Sequence, residues 1–80
     1  MHRVTVSRRI EQLRRERLGL TQRELAALLV NGRGERGIQQ VTVSRWERAE
    51  VEPSLRYLRQ LAGLADVPVQ WFFEDDEAAA

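Results

Sequence analysis

Apolar residues near the start of the chain recur at helical spacing. Ile10 and Leu13 follow Val6 at intervals of four and three, the stripe of a short amphipathic helix. Thr5 or Ser7 can cap its start, and Gly19 is placed to stop it. Thr21-Gln22-Arg23-Glu24 is a capping box: the threonine hydroxyl accepts from the glutamate N–H while the carboxylate reaches back to the threonine N–H. Leu25, Ala26, Leu28 and Leu29 then supply the buried side of a second helix, from about Gln22 to Leu29. Gly32, Gly34 and Gly37, with Arg33, Glu35 and Arg36 among them, break the pattern and read as an exposed loop.

Two readings compete for the next stretch. Val41, Thr42 and Val43 have strand propensity, and Asn31-Gly32 upstream suits a hairpin. As a helix over about 39–48, the same residues put Val43 and Trp46 on one face and Val41, Arg45 and Arg48 on the other. That amphipathic division favours the helix. Pro53 suits the first turn of a fourth helix with Leu55, Leu58, Leu61 and Ala62 inward and Gly63 near its end. Pro68 opens a last short helix carrying Trp71, Phe72 and Phe73. The expected organisation is one domain over 1–80, with an arm over 1–6, a core over about 7–73 and an acidic tail over 74–80.

Composition narrows the chemistry. Eighty residues, 42% hydrophobic and 31% charged, make a small globular domain with only five aromatic side chains for its core. The chain has no cysteine, so disulfides, iron–sulfur clusters and the usual structural zinc sites are excluded. His2 is the only histidine, lysine is absent, and the glycines form no phosphate-cradling motif, so an enzyme is not expected and neither a cofactor nor a metal is implied. No apolar run is long enough to span a bilayer, and no small-molecule ligand is evident.

The net charge of +1 conceals a polarity. Up to Arg48 there are eleven arginines and five acids, a balance of +6; beyond it two arginines face seven acids, a balance of −5. One part of the molecule is therefore suited to an anion and the other is not. Genomic bias and a solvated surface account for the arginines equally well on charge alone.

Four motifs in order resemble the Cro and phage-repressor type of helix-turn-helix protein, the XRE-like family. Gly19-Leu20-Thr21-Gln22-Arg23-Glu24-Leu25-Ala26 looks like the entry into its second helix, and Val43-Ser44-Arg45-Trp46-Glu47-Arg48 like the back half of its recognition helix. Pro53 through Ala62 is similar to its fourth helix, and Val67-Pro68-Val69-Gln70-Trp71-Phe72-Phe73 to its closing segment. The likeness covers roughly 9–73 and implies an all-α, compact five-helix repressor-like domain. Three departures stand out. Val30 to Arg36 read as a seven-residue inserted loop between the second and third helices; Gln39 stands where Ser or Thr usually caps; Ala49-Glu50-Val51-Glu52 replaces a Gly and a basic residue, which should weaken backbone contacts there.

The resemblance implies a sequence-specific regulator of double-stranded DNA, cytoplasmic and at a bacterial or phage nucleoid. Affinity in such proteins comes largely from neutralising phosphates, and specificity from side chains at base edges. Gln39, Gln40, Val41 and Arg45 are the expected base readers, Gln40 and Arg45 foremost. Glutamine can bond adenine N6 and N7, arginine guanine O6 and N7, and valine can pack on a thymine methyl, a good bidentate pair discriminating by about 1–3 kcal/mol. Gln22, Arg23, Thr42, Ser44 and Arg48 are expected at the backbone or as buttresses, and Arg33 and Arg36 join them if the loop sits by the groove. By family analogy Gln22 binds a phosphate and supports the first glutamine of the recognition helix. Any of these residues could instead be ordinary solvated surface. Glu47 falls near the buried face, and the resemblance assigns it Arg14 as a structural partner.

Proteins of this kind usually bind as dimers on half-sites roughly 34 Å apart. Trp71, Phe72 and Phe73 are the expected dimer surface; in the other reading, two of them close the core and the third is half exposed. The expected partners differ with function: duplex DNA and a second copy for a repressor, or a protein for an adaptor or antitoxin-like module using the same fold. The acids after Ala49 and the loop favour the second.

Overall fold

A computed structural model describes residues 2–74. The first helix, α1 (His2–Gln12), runs without a break into a π-wound segment, Leu13–Leu18. It begins upstream of Thr5 and Ser7, so neither caps it, and residues expected as an arm are helical from His2. Val6 is a fully buried core residue, and keeping it in register with Ile10 and Leu13 requires helix on both sides of it. The wider i→i+5 wind of the π segment carries Leu18 round to pack on the core, with Leu13 and Arg14 both buried. Gly19 ends it at φ +63°, which glycine adopts without a Cβ clash, and the N–H groups of Gly19 and Leu20 both donate to the Arg14 carbonyl.

Helix α2 (Gln22–Leu28) starts with both halves of the capping box formed: Glu24 N–H donates to Thr21 Oγ1 at 3.0 Å and Thr21 N–H to Glu24 Oε1 at 2.9 Å. Leu25, Ala26 and Leu29 are buried, but Leu28, expected inside, lies on the outer face. Helix α3 (Gln40–Glu47) settles the competition over the middle of the chain. The described residues contain no strand, only a single antiparallel bridge between Val30 and Arg36 within the loop. Val43 and Trp46 are buried, and Trp46 packs on Tyr57 with ring centroids 5.2 Å apart.

Helix α4 (Leu55–Ala65) is capped by Ser54, so Pro53 precedes the cap instead of occupying the first turn. Leu58, Leu61 and Ala62 point inward as expected. Leu55 does not: it lies on the outer face, half exposed, because the inward stripe begins one turn later. Gly63 is within the helix, and Asp66 takes the left-handed end position. The expected fifth helix is a short 3-10 turn, Val69–Phe73, so the described residues hold four α-helices and this turn. It packs on α1 and α4, while α2 and α1 both pack on α3.

The closing turn corrects the aromatic surface. Phe72 is completely buried and offers nothing to a second copy. Trp71 is half-buried, with the guanidinium carbons of Arg9 and Arg17 at 4.7 and 5.4 Å from its ring centroid. Arg9 Nε and Nη2 also donate to the Glu74 carbonyl at 3.1 and 2.9 Å, fastening the end of the turn to α1. Of the three, Phe73 alone is exposed. The acidic tail beyond Glu74 lies outside the described residues.

Ala49, in the stretch where the resemblance expects a Gly and a basic residue, sits at φ +60°. A left-handed conformation costs an L-residue about 1–2 kcal/mol, whereas glycine adds about 0.4–1 kcal/mol of unfolded-state entropy. The first effect is larger, so Ala49→Gly is expected to stabilise the domain by up to about 1 kcal/mol. Thermal unfolding should show it as a rise of a few degrees; an unchanged or lower midpoint contradicts the strain.

Candidate nucleic-acid interface

Helix α3 has one face in the core and one in solvent. Val43 and Trp46 anchor the first, while Gln39, Gln40, Val41 and Arg45 are exposed and Thr42 and Ser44 half-buried. Gln39 stands at the N-cap, but its side chain makes no capping bond. The Gln39 side-chain amide, unlike the hydroxyl that a Ser or Thr would spend on its own helix, is therefore available to an outside partner. At this end the helix presents two glutamines and a valine, with Arg45 about a turn behind on the same outer side.

The far end of α3 is held by a buried ion pair. Arg14 Nε and Nη2 donate to the two Glu47 oxygens at 2.6 and 2.9 Å, a forked pair whose side chains are 8% and 6% exposed. The remaining Arg14 nitrogen donates to the Leu20 carbonyl at 2.9 Å. One arginine thus ties the π segment, the entry to α2 and the end of α3 together. Its pKa is raised, chiefly by the hydrogen bond to Glu47, with burial opposing. A raised arginine pKa leaves the cation in place through neutral and moderately alkaline pH. Among the described residues, no buried side-chain nitrogen or oxygen lacks a hydrogen-bond partner.

Gln22 departs from the family analogy. Its amide nitrogen donates to Glu47 Oε1 at 2.9 Å, so it supports the recognition helix from the C-terminal end, not through the leading glutamine. A short amide reaches whichever acceptor the packing brings close, and here that is the Glu47 carboxylate. Arg23, next along α2, is exposed. Arg48 is exposed too, but its Nε donates to Glu50 Oε2 at 2.8 Å, so the acid two residues on offsets the cation.

The loop between α2 and α3 has a definite shape. Asn31 Oδ1 accepts the N–H groups of Arg33 and Glu35 at 2.9 and 3.0 Å, and Asn31 N–H donates to the Glu35 carbonyl at 2.8 Å. Gly34 and Gly37 turn the chain at φ +81° and +105°. Gln60 of α4 clamps the base of the loop: its amide oxygen accepts Val30 N–H at 2.8 Å and its nitrogen donates to the Val30 carbonyl at 3.0 Å. Arg56, one turn earlier on α4, donates to the Asn31 carbonyl at 2.7 Å. Arg36 reaches back to the Leu28 carbonyl at 3.4 Å, and Arg33 is exposed.

Gln60 and Arg56 were invisible as loop partners in the sequence, because both lie on a helix whose apolar spacing explains it fully. Among the described residues, no group of His, Cys, Asp and Glu comes together to hold a metal, and no helix is long and apolar enough to cross a membrane. A helix-turn-helix family model matches residues 10–72. No curated protein and no solved structure matches the chain.

Proposed function

Because the chain belongs to the helix-turn-helix family of the Cro and phage-repressor type, a family of DNA-binding transcription regulators, we propose that it is a dimeric repressor reading a palindromic operator through α3. The observation that carries this reading is the division of α3: Val43 and Trp46 are locked into the core, so Gln40, Val41 and Arg45 must face outward together. Inserted by its leading end, such a helix offers glutamine to adenine, valine to a thymine methyl and arginine to guanine in the major groove. Thr42, Ser44 and Arg23 flank that face as candidate phosphate contacts. In the dimer, Phe73 is the aromatic contact, and the buried Phe72 drops out of the expected surface.

Selection of bound duplexes from a random pool tests the proposal. A regulator recovers one two-fold symmetric consensus with half-sites about a helical turn apart. An unenriched pool, or no duplex binding at low salt, instead favours a protein-binding adaptor.

The Arg48–Glu50 pair supplies a further test. An exposed pair adds little stability, but it lowers the field that a phosphate meets at Arg48. Glu50→Gln is therefore expected to tighten binding to all duplexes by a similar factor of a few, with a steeper salt dependence. Arg48→Ala should weaken all sequences alike, and only mildly, since Glu50 already competes for the guanidinium. Titrations at two salt concentrations measure both; an effect confined to one sequence would remove Arg48 from the backbone contacts.

A further inference from the structure

We infer that the loop over residues 30–36 is a fixed arm that grips the phosphodiester backbone beside the base-reading helix, with Arg33 and Arg56 as its phosphate ligands and Gln60 as the residue that positions it. The inference rests on the duplex-binding reading above.

Three observations carry it. First, the arm is held at its base and along its side. Gln60 takes both backbone groups of Val30, as a neighbouring strand would, and Arg56 bonds the Asn31 carbonyl. The Asn31 side chain closes the turn from inside. An arm held this way loses little conformational freedom on meeting a ligand.

Second, docking on α4 gathers charge that is scattered in the sequence. Arg56 is one of only two arginines in the acidic half of the chain, yet it lies against the arm: a Cβ on Gly32 would stand 3.4 Å from Arg56 Nη1. Arg33 follows Gly32 directly. Against these cations the arm carries one acid, Glu35, and its Oε1 already accepts from Asn31 Nδ2 at 3.1 Å. Neither Arg33 nor Arg56 has an ion-pair partner among the described residues.

Third, the arm leads directly into the reading helix. Gly37 N–H donates to the Leu29 carbonyl at 2.6 Å and Ile38 N–H to the Ala26 carbonyl at 2.9 Å, tying the exit of the arm to α2 immediately before Gln39. A duplex that receives the leading end of α3 in its groove has its backbone as the nearest polyanion to Arg33 and Arg56. Phosphate, not a base edge, is the ligand that an arginine beside the groove meets first.

Fluorescence-anisotropy titration across a salt series tests the arm, using a labelled mixed-sequence duplex and the consensus duplex. Arg33→Ala and Arg56→Ala should each reduce the steepness of log affinity against log salt by about 0.9 per lost contact, and weaken both duplexes equally. Gln60→Leu should lose about as much as Arg33→Ala, and combining the two should add little, because Gln60 acts only by placing the arm. Should Gln60→Leu fail to fold by circular dichroism, Arg33→Glu on the exposed tip gives the same reading with a larger loss. Parental salt slopes in the arginine variants overturn the arm while leaving the regulator intact. A loss confined to the consensus duplex also overturns it, since that marks a base reader. A parent chain that binds neither duplex at low salt removes the regulator reading and the arm with it.

Discussion

Glu47→Ala is expected to cost about 3–5 kcal/mol of folding stability, the usual penalty for removing one member of a buried ion pair. The cause is the group left behind: the Arg14 guanidinium is buried, and without Glu47 only its bond to the Leu20 carbonyl remains to compensate its lost hydration. Gln22 loses its acceptor at the same time. A domain of 80 residues has roughly 4–12 kcal/mol in total at about 0.05–0.15 kcal/mol per residue, so the loss is a large share and can unfold a marginal protein. Urea unfolding measures it. The double variant Arg14→Met with Glu47→Leu is expected to be more stable than Glu47→Ala alone, because an apolar pair of similar size leaves no charge unpaired. A Glu47→Ala variant within about 1 kcal/mol of the parent would show that solvent reaches Arg14 and that the pair does not hold α3 in place.

The second large effect is on recognition. Arg45→Ala is expected to remove about 1–3 kcal/mol of discrimination per half-site, roughly a 5- to 150-fold loss of preference at one base position. Mixed-sequence duplexes should be affected far less. The side chain lies on the exposed face and makes no hydrogen bond or ion pair among the described residues, so the change is expected to remove a base contact without disturbing the core. Binding to a panel of duplexes, each changed at one position of the consensus, measures the effect. Equal weakening of every duplex would make Arg45 a phosphate contact and move base reading to Gln39 and Gln40. Together the two variants separate the proposed roles of α3: Glu47→Ala is expected to act through folding and orientation, Arg45→Ala through contact with the bases.

Much of this arrangement was legible along the chain. The capping box at Thr21, the stop at Gly19 and the face shared by Val43 and Trp46 depend on residues within one or two turns of each other, and all three appear where their spacing places them. Spacing also decided for a helix against a hairpin in the middle of the chain. It failed at the edges of elements. Thr5 and Ser7 looked like caps because their side chains suit that position, but burial of Val6 drew the helix further upstream. Leu28 and Leu55 fit an apolar stripe and still face outward, since periodicity tells which residues share a side without telling how far the neighbouring helix extends over it.

The candidate site divides in the same way. The exposed face of α3 was legible because its opposite face is unmistakably apolar. The Arg14–Glu47 pair followed from family resemblance, but the engagement of Gln22 with Glu47 and the offset of Arg48 by Glu50 depend on side-chain geometry that spacing does not specify.

The sequence by itself determined the order of the helices and which side of the recognition helix is turned outward, because hydrogen bonding and apolar periodicity act over a few residues. Only the tertiary structure decided that Phe72 is buried while Phe73 is exposed, that the chain after Gln12 winds more widely, and that Gln60 and Arg56 fasten a loop some twenty-five to thirty residues away. Those outcomes depend on which surfaces meet once the helices pack. Contact between distant segments is set by volume and the need to satisfy buried polar groups, neither of which leaves a local pattern in the chain.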